Sequence, residues 1–258
     1  MKRLYSLLKN EYHTEIYRFC ISIAVLAAFY IFLLTRVAAW PEGAPTAVSL
    51  IPVFGFALAA VVGSFTAMGD EYKHGTIYTL MSLPVSGYMV IGAKFLLVFV
   101  KFVIYNLLML SGFLTVLNRD LIVRVAQVQA VYAGQLWNAI LKDSISFYLL
   151  GTGFLAFGII TGIFSYTVYR SIDIPFIRFL AAFIAYILPG YIAQKLSEWT
   201  VDILPPIWMK IYGFSTLNSV FNPGSVSISL TPGIFYILIA VLMFISAGWL
   251  YENRMEVL

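Results

Sequence analysis

Apolar residues run in six long blocks, at about 19–35, 47–68, 87–117, 145–169, 175–196 and 231–251, and few charges fall inside them. A hydrocarbon core of roughly 30 Å needs about 20 predominantly apolar residues in a helix, so each block is expected to cross a bilayer. No water reaches the backbone at that depth, and only structures that satisfy their own amides survive there. The composition agrees: the 258 residues are 61% hydrophobic and 11% charged, with a mean hydropathy of +0.91. That is far from a soluble domain. The expected fold class is an all-α integral membrane protein with six transmembrane helices, forming one domain over residues 1–258.

The spans differ in what they carry. Span 2 places Gly55, Ala59, Gly63 and Ala67 four residues apart, a flat face on which another helix or a second subunit can pack closely. Free exposure of that face to lipid is the competing expectation. Gly158 and Gly162 form a Gly-x-x-x-Gly in span 4, a packing hint that is common by chance. Span 3 is about 45 Å long at about 1.5 Å per residue, so its first turns should project into water. Lys94 then sits near the boundary, while Lys101 falls within the apolar zone, where a lysine faces a cavity or partner or else snorkels. Pro189-Gly190 should kink span 5 near its outer end.

Between the spans, residues 1–17 read as an amphipathic interfacial helix. Leu4, Leu7, Leu8, Tyr12 and Ile16 share one face, opposite Lys2, Ser6, Lys9 and His13. Residues 118–142 are read as a helix on the outer membrane surface, with alternation around Val123 and Val125 giving a competing strand pattern. Arg124, Gln127, Gln129, Gln135 and Asn138 argue against a seventh span. Orientation follows from the cations. Only Arg36, Arg119, Arg124, Lys142, Lys195 and Lys210 of the 16 Lys and Arg residues fall on the outer side if the N-terminus is inside. The positive-inside rule then places both termini in the cytoplasm.

The feature that asks for a partner is the polar interruption after span 2. Asp70, Glu71, Lys73 and His74 crowd into Asp70-Glu71-Tyr72-Lys73-His74-Gly75-Thr76. Ile77, Leu80 and Met81 follow at helical spacing, Pro84 ends that helix after about two turns, and Ser86 can cap the next. As pattern alone, this is equally a solvated chain reversal. The string as a whole resembles the loop between spans 2 and 3 of ABC type-2 permeases, the membrane subunits of many ATP-binding cassette exporters. The residues that carry the resemblance are Glu71, Gly75, Thr76, Leu80, Leu83, Pro84, Val85, Ser86 and Lys94, together with six spans over nearly the whole chain.

The resemblance implies that this helix is a coupling helix docking on a separate ATPase, with Tyr72, Ile77, Tyr78, Leu80 and Met81 at the contact and Glu71 and Lys73 at the rim. It implies two ATPase subunits that hold ATP and Mg, and a second permease subunit, identical or homologous. It places such a chain in the plasma membrane of a prokaryotic cell. It makes residues 1–17 an elbow helix, and residues 204–221 short re-entrant or interfacial helices with Trp208 and Tyr212 near the headgroups. Hydrophobic compounds or peptides are the substrate class it favours.

Chemistry of other kinds finds few residues. No Gly-x-x-x-x-Gly-Lys-[Ser/Thr] loop occurs, so ATP is not expected to bind this chain by that device. No paired acids, Ser-His-Asp set or zincin motif stands out, and Cys20 is the single cysteine, so neither enzyme activity, a cofactor nor a metal site is expected. No basic cluster with interleaved aromatics suits nucleic acid. The alternative function is a secondary transporter or channel-like protein working without an ATPase. A proton-relay version would want a mid-membrane carboxylate, and none stands out.

Overall fold

The structure is a computed structural model, and it describes residues 2–41, 44–73, 86–125, 130–200, 208–213, 224–229 and 231–254. Seven helices occur among them: α1 Lys2–Arg36, α2 Ala44–Val48, α3 Ile51–Lys73, α4 Gly87–Val125, α5 Ala130–Arg170, α6 Pro175–Thr200 and α7 Thr231–Arg254. Two strands, β1 Trp208–Gly213 and β2 Gly224–Ser229, lie between α6 and α7.

Six segments are long and apolar enough to cross a bilayer: Ile16–Arg36, Ala44–Gly69, Gly87–Asp120, Ser144–Arg170, Pro175–Trp199 and Pro232–Asn253. At most 29% of any of their apolar windows is buried inside the bundle. Phe54, Leu58, Phe176, Phe179, Ile237 and Leu242 all point outward. Contiguous apolar surface on that scale needs lipid as its solvent. The chain is a multi-pass membrane protein.

Helices α4 and α5 form the centre. α4 contacts α1, α2, α3, α5 and α7, while α5 contacts α3, α4, α6 and α7. Leu26, Tyr30 and Leu33 of α1 are buried with Met109 and Val116 of α4 in one core. The ring of Tyr30 fills the space that a side chain at Gly112 would need; a Cβ there would fall 2.5 Å from it. The Tyr30 hydroxyl donates to the Ser49 carbonyl at 3.0 Å, and Thr46 donates to the Asp120 carboxylate at 2.9 Å. These two bonds tie the turn around α2 to α1 and α4. Deeper in, Phe19, Phe56 and Phe102 surround Tyr105 at centroid distances of 5.1, 4.6 and 6.0 Å, joining α1, α3 and α4. Such offset and tilted pairs suit the ring quadrupoles.

Three expectations about the connections change. Helix α1 is continuous from Lys2 to Arg36, so residues 2–17 extend span 1 rather than forming a separate elbow helix. No glycine or proline falls between Lys2 and Arg36 to break the ladder. Residues 118–142 do not make an independent surface helix: α4 runs on to Val125 and α5 starts at Ala130. Residues 204–221 are not helical where described. β1 pairs antiparallel with β2, from Trp208 opposite Ser229 to Gly213 opposite Gly224, and β1 lies against α5. The sequence explains the change, because Ser225-Val226-Ser227-Ile228-Ser229 alternates with period two, and Pro205, Pro206 and Pro223 oppose helix on either side.

Candidate functional site

One end of the bundle gathers the features that bear on function. α3 and α5 run parallel there, because Ser64 packs on Gly162 and Tyr166 packs on Gly69. α4 and α7 run antiparallel, since Gly87 meets Glu252 and Gly92 meets Phe244. The short turn at 171–174 joins α5 to α6 at the same end. The C-termini of α3, α5 and α7 and the N-termini of α4 and α6 therefore share one side of the membrane.

The polar interruption joins the chain at this end, between Lys73 and Ser86. Glu71 and Tyr72 belong to the last turn of α3, which continues span 2 through Lys73. Gly75, Thr76, Ile77, Leu80, Met81, Leu83 and Pro84 lie outside the described residues. The far side of the segment is firmly held. The Ser86 carbonyl accepts from the amides of Met89 and Val90 at 2.9 and 3.3 Å, opening α4. The Gly87 amide, one of the helix's otherwise unpaired donors, donates to Glu252 Oε1 at 2.8 Å. A carboxylate at a helix N-terminus completes a donor and meets the positive end of the helix dipole. Gly87 is required for this approach: a Cβ would fall 2.8 Å from Glu252 Cγ and 3.0 Å from the Gly248 carbonyl. Gly248 in turn leaves room for the Tyr88 ring, which would overlap any side chain there. Lys94, one and a half to two turns further on, is only 7% exposed and engaged with a neighbour, rather than snorkelling at the boundary.

Towards the same end of the bundle, α3, α5 and α6 line a groove of about 410 Å³. Its lining is Phe65, Ser165, Tyr166, Tyr169, Phe179, Ala182, Phe183 and Tyr186. The Ser165 hydroxyl donates to the Ala182 carbonyl at 2.6 Å, which leaves the walls largely aromatic. Two guanidinium groups stand at the same end. Arg170 Nε donates to the Tyr166 hydroxyl at 3.1 Å, and its Cζ lies 5.7 and 6.0 Å from the Tyr166 and Tyr169 ring centres. Arg178 Cζ lies 4.9 Å from the Tyr169 ring centre on the α6 side. Cation–π contacts of this kind fix the direction of a charge without neutralising it.

The small-residue stripe of span 2 is split between environments. Gly55 has nothing within 4 Å of a notional Cβ, and Ala59 is exposed. Gly63 lies 3.6 Å from the Phe102 ring by the same measure, and Ala67 packs on the core. The fully buried face is Ala60, Ser64 and Met68, one position along. Of the span 4 pair, Gly158 has open space and Gly162 is the true contact. Lys101 is half-buried and engaged with a neighbour.

No family model, curated protein or solved structure matches this chain. Sequence reasoning passed over Glu252, Ser64, the Arg178–Tyr169 pair and Asp120, a carboxylate only 5% exposed at the end of its span. No local pattern in the sequence pairs Gly87 and Tyr88 with Gly248 and Glu252, which lie about 160 residues further on.

Proposed function

We propose that this chain is the membrane-spanning permease subunit of an ABC exporter, driven by a separate ATPase that docks on residues 70–86. The observation that carries this reading is the mounting of that polar segment. It enters from the last turn of α3 and returns through a clamped start of α4. A push on the segment is thus delivered to two central contacts. α3 bears on α5 through Ser64 and Gly162, and α4 bears on α7 through Gly87, Glu252 and the Tyr88–Gly248 fit. Tightly packed helices respond to such a load by shifting between discrete packings rather than by bending continuously. ATP binding in the partner supplies the differential free energy between the two states.

In this reading two ATPase subunits and a second permease subunit complete the transporter, ATP and Mg stay in the ATPases, and the path carries hydrophobic compounds or peptides. Both termini face the cytoplasm of a prokaryotic cell. Single cysteines at Ser82 and Asn222, in a background lacking the exposed Cys20, should label from opposite sides of sealed vesicles. Labelling of both from the outside would rule the topology out. The functional test is purification of the tagged chain from its native membranes in mild detergent. A phosphate-loop ATPase should accompany it at about one copy per permease, with substrate-stimulated ATP hydrolysis after reconstitution. Transport by the chain alone, without an ATPase and supported by an ion gradient, would favour the secondary-transporter reading instead.

A further inference from the structure

The aromatic groove between α3, α5 and α6 carries a second inference, which is independent of any ATPase. From its shape and charge we infer that it holds one acyl chain of an anionic glycerophospholipid from the leaflet at that end, with the lipid phosphate beside Arg178. Three observations support this occupant. The groove opens on the outward face of α6, where Phe179 is 69% and Phe183 is 57% exposed, so lipid is what meets it. Its volume of about 410 Å³ lies in the range of about 300–1,000 Å³ that small-molecule sites occupy. Its walls offer ring faces and edges to a chain, with the Ser165 hydroxyl already bonded to Ala182.

The charge sets the headgroup. Arg178 is the fourth residue of α6, in the first turn of a span that starts at Pro175, and its guanidinium lies 4.9 Å from the centre of the Tyr169 ring. No carboxylate pairs with Arg178 among the described residues. Arg170 Cζ lies 6.0 Å from the centre of the same ring. Guanidinium groups donate in a fixed fork that matches phosphate oxygens, which a zwitterionic head partly screens with its own cationic group. A soluble anion would meet the same cations and gain nothing from the aromatic walls.

The test uses the full chain purified in mild detergent and titrated with dioleoyl-phosphatidylglycerol or dioleoyl-phosphatidylcholine, with bound lipid counted by native mass spectrometry. The phosphatidylglycerol should be retained in preference. Arg178→Gln should cut that preference about five-fold, the equivalent of about 1 kcal/mol for one cation near an anionic surface. Arg178→Lys, which keeps the charge but loses the fork and its stacking on Tyr169, should fall between the unaltered chain and Arg178→Gln. Ala182→Trp, which fills the groove, should lower retention of both lipids. Equal retention of the two lipids by the unaltered chain overturns the proposal, as does an unchanged preference in Arg178→Gln. Unchanged retention in Ala182→Trp would place the lipid elsewhere. Displacement by excess glycerol phosphate would make the ligand a soluble anion rather than a lipid.

Discussion

Replacing Gly162 by leucine should all but abolish recovery of folded protein. Gly162 is buried in α5 at its closest approach to α3, and even a Cβ there would overlap the Ser64 hydroxyl and lie 3.0 Å from Ser64 Cβ. Ser64 is itself fully buried, its hydroxyl donating to the Val61 carbonyl at 2.6 Å within its own helix. A leucine adds three further carbons to a contact with no free volume, so the two helices must separate. Overpacking a well-filled core costs about 1–3 kcal/mol and sometimes more. In lipid no hydrophobic force drives separated helices back together, since the tails solvate them equally well. Thermal unfolding followed by size-exclusion chromatography in detergent should show little monodisperse peak for Gly162→Leu. Gly158→Leu, one turn away with nothing within 4 Å, should behave as the unaltered chain. Gly162→Ala should be intermediate, and Ser64→Ala should recover much of that loss in the double variant, because it removes the overlapping oxygen. A Gly162→Leu protein with an unaltered melting temperature would mean that α3 and α5 do not meet at this point.

The contrast between Gly162 and Gly158 explains how far the sequence was legible. The six spans could be read because the bilayer imposes one coarse requirement, about 20 apolar residues in a helix, that each block meets on its own. Which face of each span packs inward imposes no such local requirement. Span 2 carries small residues at positions 55, 59, 63 and 67 and also at 60 and 64, and both rows have the spacing of a packing face. The buried row is set by where α5 lies, which is information from another part of the chain. The Gly87–Glu252 bond joins residues 165 apart and leaves no periodic trace in either segment. Around β1 and β2 the expectation of helix rested on family resemblance. The local alternation from Ser225 to Ser229, flanked by prolines, favours a ladder instead. The cation–π pair of Arg178 and Tyr169 crosses the α5–α6 turn, and single-letter spacing does not report which rings stack.

If residues 70–86 dock on an ATPase as proposed, Leu80→Asp should release that ATPase while leaving the chain inserted in the membrane. The proposed coupling helix places Ile77, Leu80 and Met81 at one face, and Leu80 is the centre of that triplet. Central apolar anchors of an interface commonly contribute about 2 kcal/mol or more each. Losing that much affinity corresponds to a roughly 30-fold weaker complex. An aspartate in the same groove would also lose its water without gaining a cation, which adds to the loss. Insertion should be unaffected, because position 80 lies between the span that ends at Gly69 and the one that begins at Gly87. The clamp of Gly87 by Glu252 and the packing of Ser64 on Gly162 also lie outside the substituted turn. Glu71→Ala, in the last turn of α3 at the rim of the expected contact, should weaken the complex less, unless Glu71 meets a specific basic residue of the partner. Co-purification with the ATPase measures the first effect, and substrate-dependent hydrolysis in liposomes measures coupling. A Leu80→Asp permease of normal yield that no longer retains the ATPase is the expected outcome. If instead it kept the partner and transported at the unaltered rate, residues 74–85 would serve only to reverse the chain. The ATPase would then have to reach the bundle elsewhere at this end, and the clamped start of α4 would bear no load.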